Sequence, residues 1–300
     1  MCRMNLRGVF APIPTPFDRD ERLDLEKLGA ACARWAASAL SGLVVLGSTG
    51  EAILLDEDES DHVIAFTRER WPSGRTFIVG AGRESTSATI AAVRRAAQLH
   101  ADAVLVRTPG FYKSQMTNDA FVRHYTAVAD ASPVPVLLYN FTAVTGVNLS
   151  PVAVSRLATH PNIAGIKESS GDIAQMTDLV AGTPDDFRVL AGSSTTFYSA
   201  LCVGAVGGVL ALACVLPDAC VRLFELTSDG HHVEAAALQH RLVPVAKLVG
   251  TMHGVPGLKA ALRLAGCDVG IPRAPLAPVS EGTVAALRQA LVSFEEVALV

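Results

Sequence analysis

Short apolar runs rich in β-branched residues return eight times along this chain, and segments with helical spacing separate them. The runs are Leu6 to Pro12, Gly42 to Leu46, Thr76 to Gly80, Ala103 to Arg107, Val134 to Tyr139, Ile163 to Lys167, Phe187 to Ala191 and Ala205 to Ala211. Between them, apolar residues recur near every third or fourth position over Leu25 to Leu40, Glu57 to Trp71, Ser87 to Leu99, Asn118 to Ala129, Pro151 to Thr159 and Ile173 to Ala181. Strands that are apolar throughout are covered on both faces, so they pair in parallel through right-handed crossovers. Eight such units close on themselves more naturally than they form an open sheet, and the expected fold is α/β, a (β/α)8 TIM barrel. The competing open, doubly wound sheet lacks its mark, because no GxGxxG turn follows the first run or any other.

After the eighth run the pattern is wholly helical: Pro217 to Thr227, Val233 to Gly250, Val255 to Leu264 and Glu281 to Val297. These helices exceed what a barrel needs. Residues 1–215 are therefore expected to form the barrel, and residues 216–300 to close and extend it within one domain. Half the residues are apolar and 18% are charged, which supplies a large buried core. A formal charge of -4 without a basic block gives no footprint for nucleic acid. The start, Met1-Cys2-Arg3-Met4-Asn5-Leu6, has no apolar leader core, and no later stretch has the length of a membrane span, so a cytoplasmic protein with no membrane partner is expected. Cys2, Cys32, Cys202, Cys214, Cys220 and Cys267 form no CxxC pair and read as buried free thiols, and the histidines form no HExxH, so no metal is expected.

In a parallel barrel the loops after the strands build the active site, so strand-end residues can be taken together. The sixth run ends on Lys167, an awkward place for a cation. Burial disfavours a charged amine, and a free amine attacks carbonyl carbon, which makes Lys167 the candidate Schiff-base nucleophile unless it emerges into solvent or a salt bridge. Tyr139 ends the fifth run, where a phenol can relay a proton or merely be a core tyrosine satisfied by backbone. After the second run, Gly47-Ser48-Thr49-Gly50-Glu51 can aim N–H groups and two hydroxyls at a carboxylate, or can be only a tight connection. A second small-residue turn, Ala191-Gly192-Ser193-Ser194-Thr195, can line the same mouth.

Taken in order, Pro14-Thr15-Pro16-Phe17, Gly47 to Glu51, Tyr139-Asn140 with Thr145-Gly146, and Gly165-Ile166-Lys167-Glu168-Ser169 give a chain that resembles the dihydrodipicolinate synthase / N-acetylneuraminate lyase family of class I aldolases. The resemblance implies a barrel with a helical C-terminal extension, a homotetramer built as a dimer of dimers, and a small 2-oxo acid as substrate with no organic cofactor. It further implies that Lys167 forms the Schiff base, that Tyr139 shuttles protons, and that Gly47, Ser48 and Thr49 hold the oxo acid's carboxylate. Synthases of this family carry an arginine just ahead of the Thr-Gly of this loop, where Val144 stands here, and a valine cannot pair with a carboxylate. They also borrow a tyrosine from a neighbouring subunit; Phe111 takes that place in ungapped register, with Tyr112 adjacent as the candidate substitute.

Other segments, among them Glu84-Ser85-Thr86, His160-Pro161-Asn162-Ile163, Gly204 to Val209 and Gly254-Val255-Pro256-Gly257-Leu258-Lys259, resemble the 4-hydroxy-2-oxoglutarate aldolase branch and related sugar-acid aldolases. In that branch the serine two residues after the lysine, here Ser169, also lies at the site, and Gly192 and Ser193 of the second turn are candidate substrate-binding residues with it. The expected function is a lyase that cleaves a 4-hydroxy-2-oxo acid to pyruvate and an aldehyde. The alternatives are a 4-hydroxy-tetrahydrodipicolinate synthase-type condensation, a related dehydratase, and a non-catalytic protein that binds an oxo acid.

Overall fold

A computed structural model describes residue 4 and residues 6–296. Cys2 and the expected helix end at Val297 lie outside the described residues. Eight parallel strands close in sequence order: β1 (Gly8–Pro12), β2 (Gly42–Val45), β3 (Thr76–Gly80), β4 (Ala103–Arg107), β5 (Val136–Asn140), β6 (Ile163–Glu168), β7 (Arg188–Ala191) and β8 (Gly207–Val209). The seam is made by β8 on β1, with Val9 opposite Gly208 and Phe10 opposite Val209. The chain is thus a TIM barrel.

Helices cover the outside: α1 (Leu25–Ala36), α2 (Glu57–Arg70), α3 (Thr86–Gln98), α4 (Asn118–Ala131), a single turn α5 (Thr142–Thr145), α6 (Pro151–Leu157), α7 (Ile173–Ala181) and α8 (Phe197–Cys202). Side-chain oxygens cap most of these starts, from Asp24, Asp56, Ser85, Thr117, Ser150 and Asp172, and so satisfy amide groups that a helix leaves without partners. A short α9 (Leu212–Val215) then leads into the C-terminal extension, made of α10 (Pro217–Ser228), α11 (His232–Lys247), α12 (Gly254–Leu264) and α13 (Glu281–Glu296). Where one helix is expected over Val233 to Gly250, α11 instead widens into a π-turn at Leu248–Met252, which begins four residues past Pro244. No helix among the described residues is long and apolar enough to cross a membrane. Cys32, Cys214, Cys220 and Cys267 are buried free thiols, whereas Cys202 is a free thiol on the surface.

Strand alternation divides the core in two. Phe10, Val44, Ile78, Leu105, Leu137, Tyr139, Ala164, Leu190 and Val209 fill the lumen, while Val9, Leu43, Val45, Phe77, Val79, Val104, Val106, Val136, Leu138 and Ile166 pack between sheet and helices. Strand β6 breaks the alternation. Val136 pairs with Ile163 but Leu137 pairs with Gly165, so Ala164 is an extra residue, and Ile163 and Ile166, three apart, both face the helices. The slip changes which face every later residue of β6 presents, and it brings Lys167 level with Tyr139. Gly165 is required at this point, because a Cβ there would lie 2.1 Å from the carbonyl oxygen of Arg188.

Candidate active site

Lys167 and Tyr139 stand side by side at the C-terminal ends of β6 and β5, each 4% exposed. The amine lies over the phenol ring, 4.3 Å from its centroid, and the ring stacks in turn on Phe141 at 5.9 Å. The Tyr139 hydroxyl meets the Ser48 hydroxyl at 3.3 Å. Amine, phenol and hydroxyl therefore form a row across three strand ends, from β6 through β5 to the loop after β2.

The loop after β2 is a compact double turn. The Gly50 N–H donates to Gly47 O (3.0 Å) and the Glu51 N–H to Ser48 O (3.2 Å). Leu46 before it and Glu51 at its end both take left-handed backbone angles, φ 54° and 55°, which branched or bulky residues rarely adopt. Ser48 and Thr49 are partly exposed at the tip, while Gly47 and Gly50 are buried beneath them.

On the other side of Lys167, the Ser169 N–H donates to Asn140 O (2.9 Å) and the Gly192 N–H to Glu168 O (2.7 Å). These bonds extend the sheet past its last side-chain pairs and press Gly192 onto Ser169: a Cβ at Gly192 would sit 1.8 Å from the Ser169 oxygen. That hydroxyl is buried and makes no hydrogen bond among the described residues, which leaves a polar atom without its usual partner inside the site. Ser193, next in the turn, bonds its hydroxyl to that of Thr195 at 3.0 Å. The structure thus gathers Lys167, Tyr139 and Ser48 by direct contact, carries Thr49 and Gly47 in the same turn as Ser48, and sets Ser169, Gly192 and Ser193 in a second group joined to Lys167 through β6.

Tyr112 is not brought to this group. It is 70% exposed and its ring contact is with Phe111, itself 77% exposed, in an edge arrangement at 5.1 Å. Their loop is nonetheless anchored, because Glu84 accepts the N–H groups of Gly110 and Phe111, each at 3.0 Å, and pairs with Arg107 at 2.6 Å. Burial by itself would raise the Glu84 carboxyl, but these donors together hold it below the ordinary carboxylate range. Val144 is 59% exposed on α5.

Two groups of residues were given no role from sequence. Glu168, the neighbour of Lys167, is 1% exposed and among the described residues forms no salt bridge; it accepts from Asn140 Nδ2 (2.7 Å), Gln175 Nε2 (2.9 Å) and the Ser170 N–H (2.6 Å). These bonds fasten β5, β6 and α7 together behind the Lys167–Tyr139 pair. The only sequence signal was its adjacency to Lys167. The second is a buried pair between Glu51 and Lys259, at 2.6 Å, which joins the loop after β2 to α12. Among other nucleophile candidates, burial pushes the Cys214 and Cys220 thiols well above their usual range and so keeps them protonated and unreactive. No three His, Cys, Asp or Glu side chains among the described residues come together as a ligand set.

Comparison with known proteins gives the same picture over nearly the whole chain. Residues 5–293 match the Dihydrodipicolinate synthetase family. A 4-hydroxy-tetrahydrodipicolinate synthase of an Exiguobacterium species is 38% identical over 291 residues, 97% of this chain and 98% of that one. A protein of Emericella nidulans named "Probable 4-hydroxy-2-oxoglutarate aldolase, mitochondrial" is 36% identical over 288 residues, 94% of this chain and 93% of that one. A solved structure described as a monomeric dihydrodipicolinate synthase variant superposes with a TM-score of 0.92 at 33% identity, covering 96% of this chain and 97% of the other.

Proposed function

This chain belongs to the dihydrodipicolinate synthetase family, whose members are enzymes of the class I aldolase type, and we propose that it makes or breaks a carbon–carbon bond at the methyl carbon of pyruvate through a Schiff base on Lys167. The observation that carries this reading is the contact row of a buried amine, a phenol and a turn hydroxyl: Lys167 over Tyr139, and Tyr139 to Ser48. In the proposed mechanism the Lys167 amine adds to C2 of a 2-oxo acid and the carbinolamine loses water, leaving an iminium that accepts the electron pair from C3. Tyr139 takes and returns the protons of these steps, and Ser48 with Thr49 and the Gly47 turn hold the carboxylate so that C2 meets the amine. The resulting enamine either attacks an aldehyde, or arises when the C3–C4 bond of a 4-hydroxy-2-oxo acid breaks. Hydrolysis of the iminium then frees the lysine.

The aldehyde half separates two finer readings. The synthase reading, condensation of pyruvate with an aldehyde that bears a carboxylate, is supported by the relatives, most of which carry the synthase name. The cleavage reading, preferred from sequence, is not singled out by them; it keeps the support of Val144, which offers an incoming carboxylate no charge, and of the Emericella nidulans relative. We place the synthase reading first. The test is direct: cyanoborohydride with pyruvate should leave a mass adduct on Lys167, and an unmodified lysine refutes the Schiff base. Condensation of pyruvate with aspartate semialdehyde, assayed beside pyruvate release from 4-hydroxy-2-oxoglutarate, then decides the direction. Assembly as a homotetramer, with the exposed Phe111 and Tyr112 at a subunit contact, is part of the proposal and is read by light scattering. The buried free thiols suit a reducing compartment such as the cytoplasm.

A further inference from the structure

The loop that presents Ser48 and Thr49 is held from outside the barrel. Lys259, on α12 of the C-terminal extension, is 2% exposed and places its ammonium 2.6 Å from Glu51 Oε1. The same ammonium also donates to Thr15 O (2.8 Å) and Ile271 O (2.7 Å) and lies 4.7 Å from the Phe17 ring centroid. The other Glu51 oxygen accepts the N–H of Arg273 at 2.8 Å. Thr15, whose carbonyl Lys259 holds, uses its own hydroxyl to hold Gly50 O at 2.7 Å. One cation therefore fixes the turn twice: at Glu51 by charge, and at Gly50 through Thr15.

The turn needs such fixing. Its two ends, Leu46 and Glu51, both sit in the left-handed region without being glycine, and a conformation of this kind persists only where the surroundings over-determine it. A buried ion pair adds little net stability, and in some proteins its role is instead to fix one geometry. The pair ends on the same turn whose Ser48 hydroxyl lies 3.3 Å from Tyr139 OH.

We infer that Lys259 is a positioning residue for the carboxylate of the oxo acid: through Glu51 and Thr15 it holds the Gly47 to Glu51 turn in its carboxylate-binding shape. The inference rests on the Schiff-base reading of Lys167. It assigns the C-terminal helices a part in substrate recognition although, among the described residues, none of theirs hydrogen-bonds or ion-pairs with Lys167, Tyr139 or Ser48.

The experiment compares two ketones that differ only in what the turn would bind. Cyanoborohydride trapping at Lys167, read by intact mass, gives the half-saturating concentration of pyruvate and of acetone, which lacks the carboxylate, for the full-length wild type, Lys259→Met, Glu51→Gln and the double variant. The expected result is that the preference for pyruvate over acetone falls by about tenfold, the equivalent of one lost charge-assisted contact, while acetone trapping stays near wild type. A merely structural role would weaken trapping of both ketones alike, and that result, or an unchanged preference, overturns the inference. If Lys259→Met or Glu51→Gln does not fold, the double variant leaves no unpaired charge in the core and carries the same comparison. Thr15→Val, which keeps the ion pair and cuts only the tie to Gly50, should lower the preference as well, and full retention of it there also counts against the inference. A wild type that forms no pyruvate adduct refutes the Schiff-base reading and this inference with it, whereas an adduct with unaltered preference in the variants refutes this inference alone.

Discussion

His124 links the solution pH to the stability of the side of the barrel that carries Phe111 and Tyr112. It sits on α4 at 7% exposure, with Nδ1 2.9 Å from the Thr86 hydroxyl on α3 and Nε2 buried without a hydrogen-bond partner among the described residues. Burial pushes it down from 6.5 to about 4, and the Glu84 carboxylate offsets only a part of that. The sign follows from proton counts: between pH 6.5 and 4 the unfolded chain binds a proton that the folded chain refuses, so stability falls as pH falls through this window and is unaffected above it. At 1.36 kcal/mol per unit, the shift amounts to about 3 kcal/mol once pH 4 is reached, with about 2 kcal/mol already lost between pH 7 and pH 5. His124→Gln keeps a polar contact for Thr86 but cannot take up a proton. Urea unfolding at pH 7 and pH 5 should show wild type losing about 2 kcal/mol more than the variant over that interval, because every other titrating group contributes equally to both. Parallel losses in the two proteins would refute the argument, as would an imidazole that titrates near 6.5 by NMR.

Three further outcomes are expected. Tyr139→Phe keeps the ring beneath Lys167 and removes only the hydroxyl that meets Ser48, so the pyruvate adduct at Lys167 should persist while kcat falls by about 10²- to 10⁴-fold; a kcat near wild type would remove Tyr139 from proton transfer. Gly192→Ala drives a methyl group into the Ser169 side chain, 1.8 Å from its oxygen and 3.0 Å from its Cα, and should cost about 1–3 kcal/mol by thermal unfolding, with part regained when Ser169→Gly is added. Glu59, bonded by Arg273, has its carboxyl held below 4.5, so it stabilises the fold above that pH and loses the contribution as pH falls through its lowered value; Glu59→Gln should be less stable at neutral pH and show a shallower decline below pH 4.5 in acid denaturation.

Most of the barrel was legible because buried parallel strands write themselves as unbroken apolar runs. β3 and β4 match their expected limits, and the others differ by a few residues at the ends, where pairing partners rather than propensity decide. Ala205 to Ala211 shortens to Gly207–Val209 because the chain turns at once into α9. The helices α5, α8 and α9, of four to six residues, are too short to display a period and were not expected. For the site, the residue types at strand ends were enough to nominate Lys167, Tyr139 and Ser48, which the fold brings into contact. Lys259 entered the sequence reading only as the end of a segment that resembles the aldolase branch, with no role of its own, since a contact with Thr15 across 244 residues leaves no local trace.

What the sequence by itself determined is the architecture and the chemical inventory: eight covered strands, a helical tail, and an amine, a phenol and a hydroxyl-bearing turn at neighbouring strand ends. What only the tertiary structure decided is which way the amine faces. Counted by simple alternation from Ile163, which faces the helices, Lys167 would face them too and be lost to the lumen. The extra residue at Ala164 reverses that phase. Its cause lies in the pairing of β5 with β6 and in the approach of Arg188 to Gly165, contacts between segments that a reading along one strand does not contain.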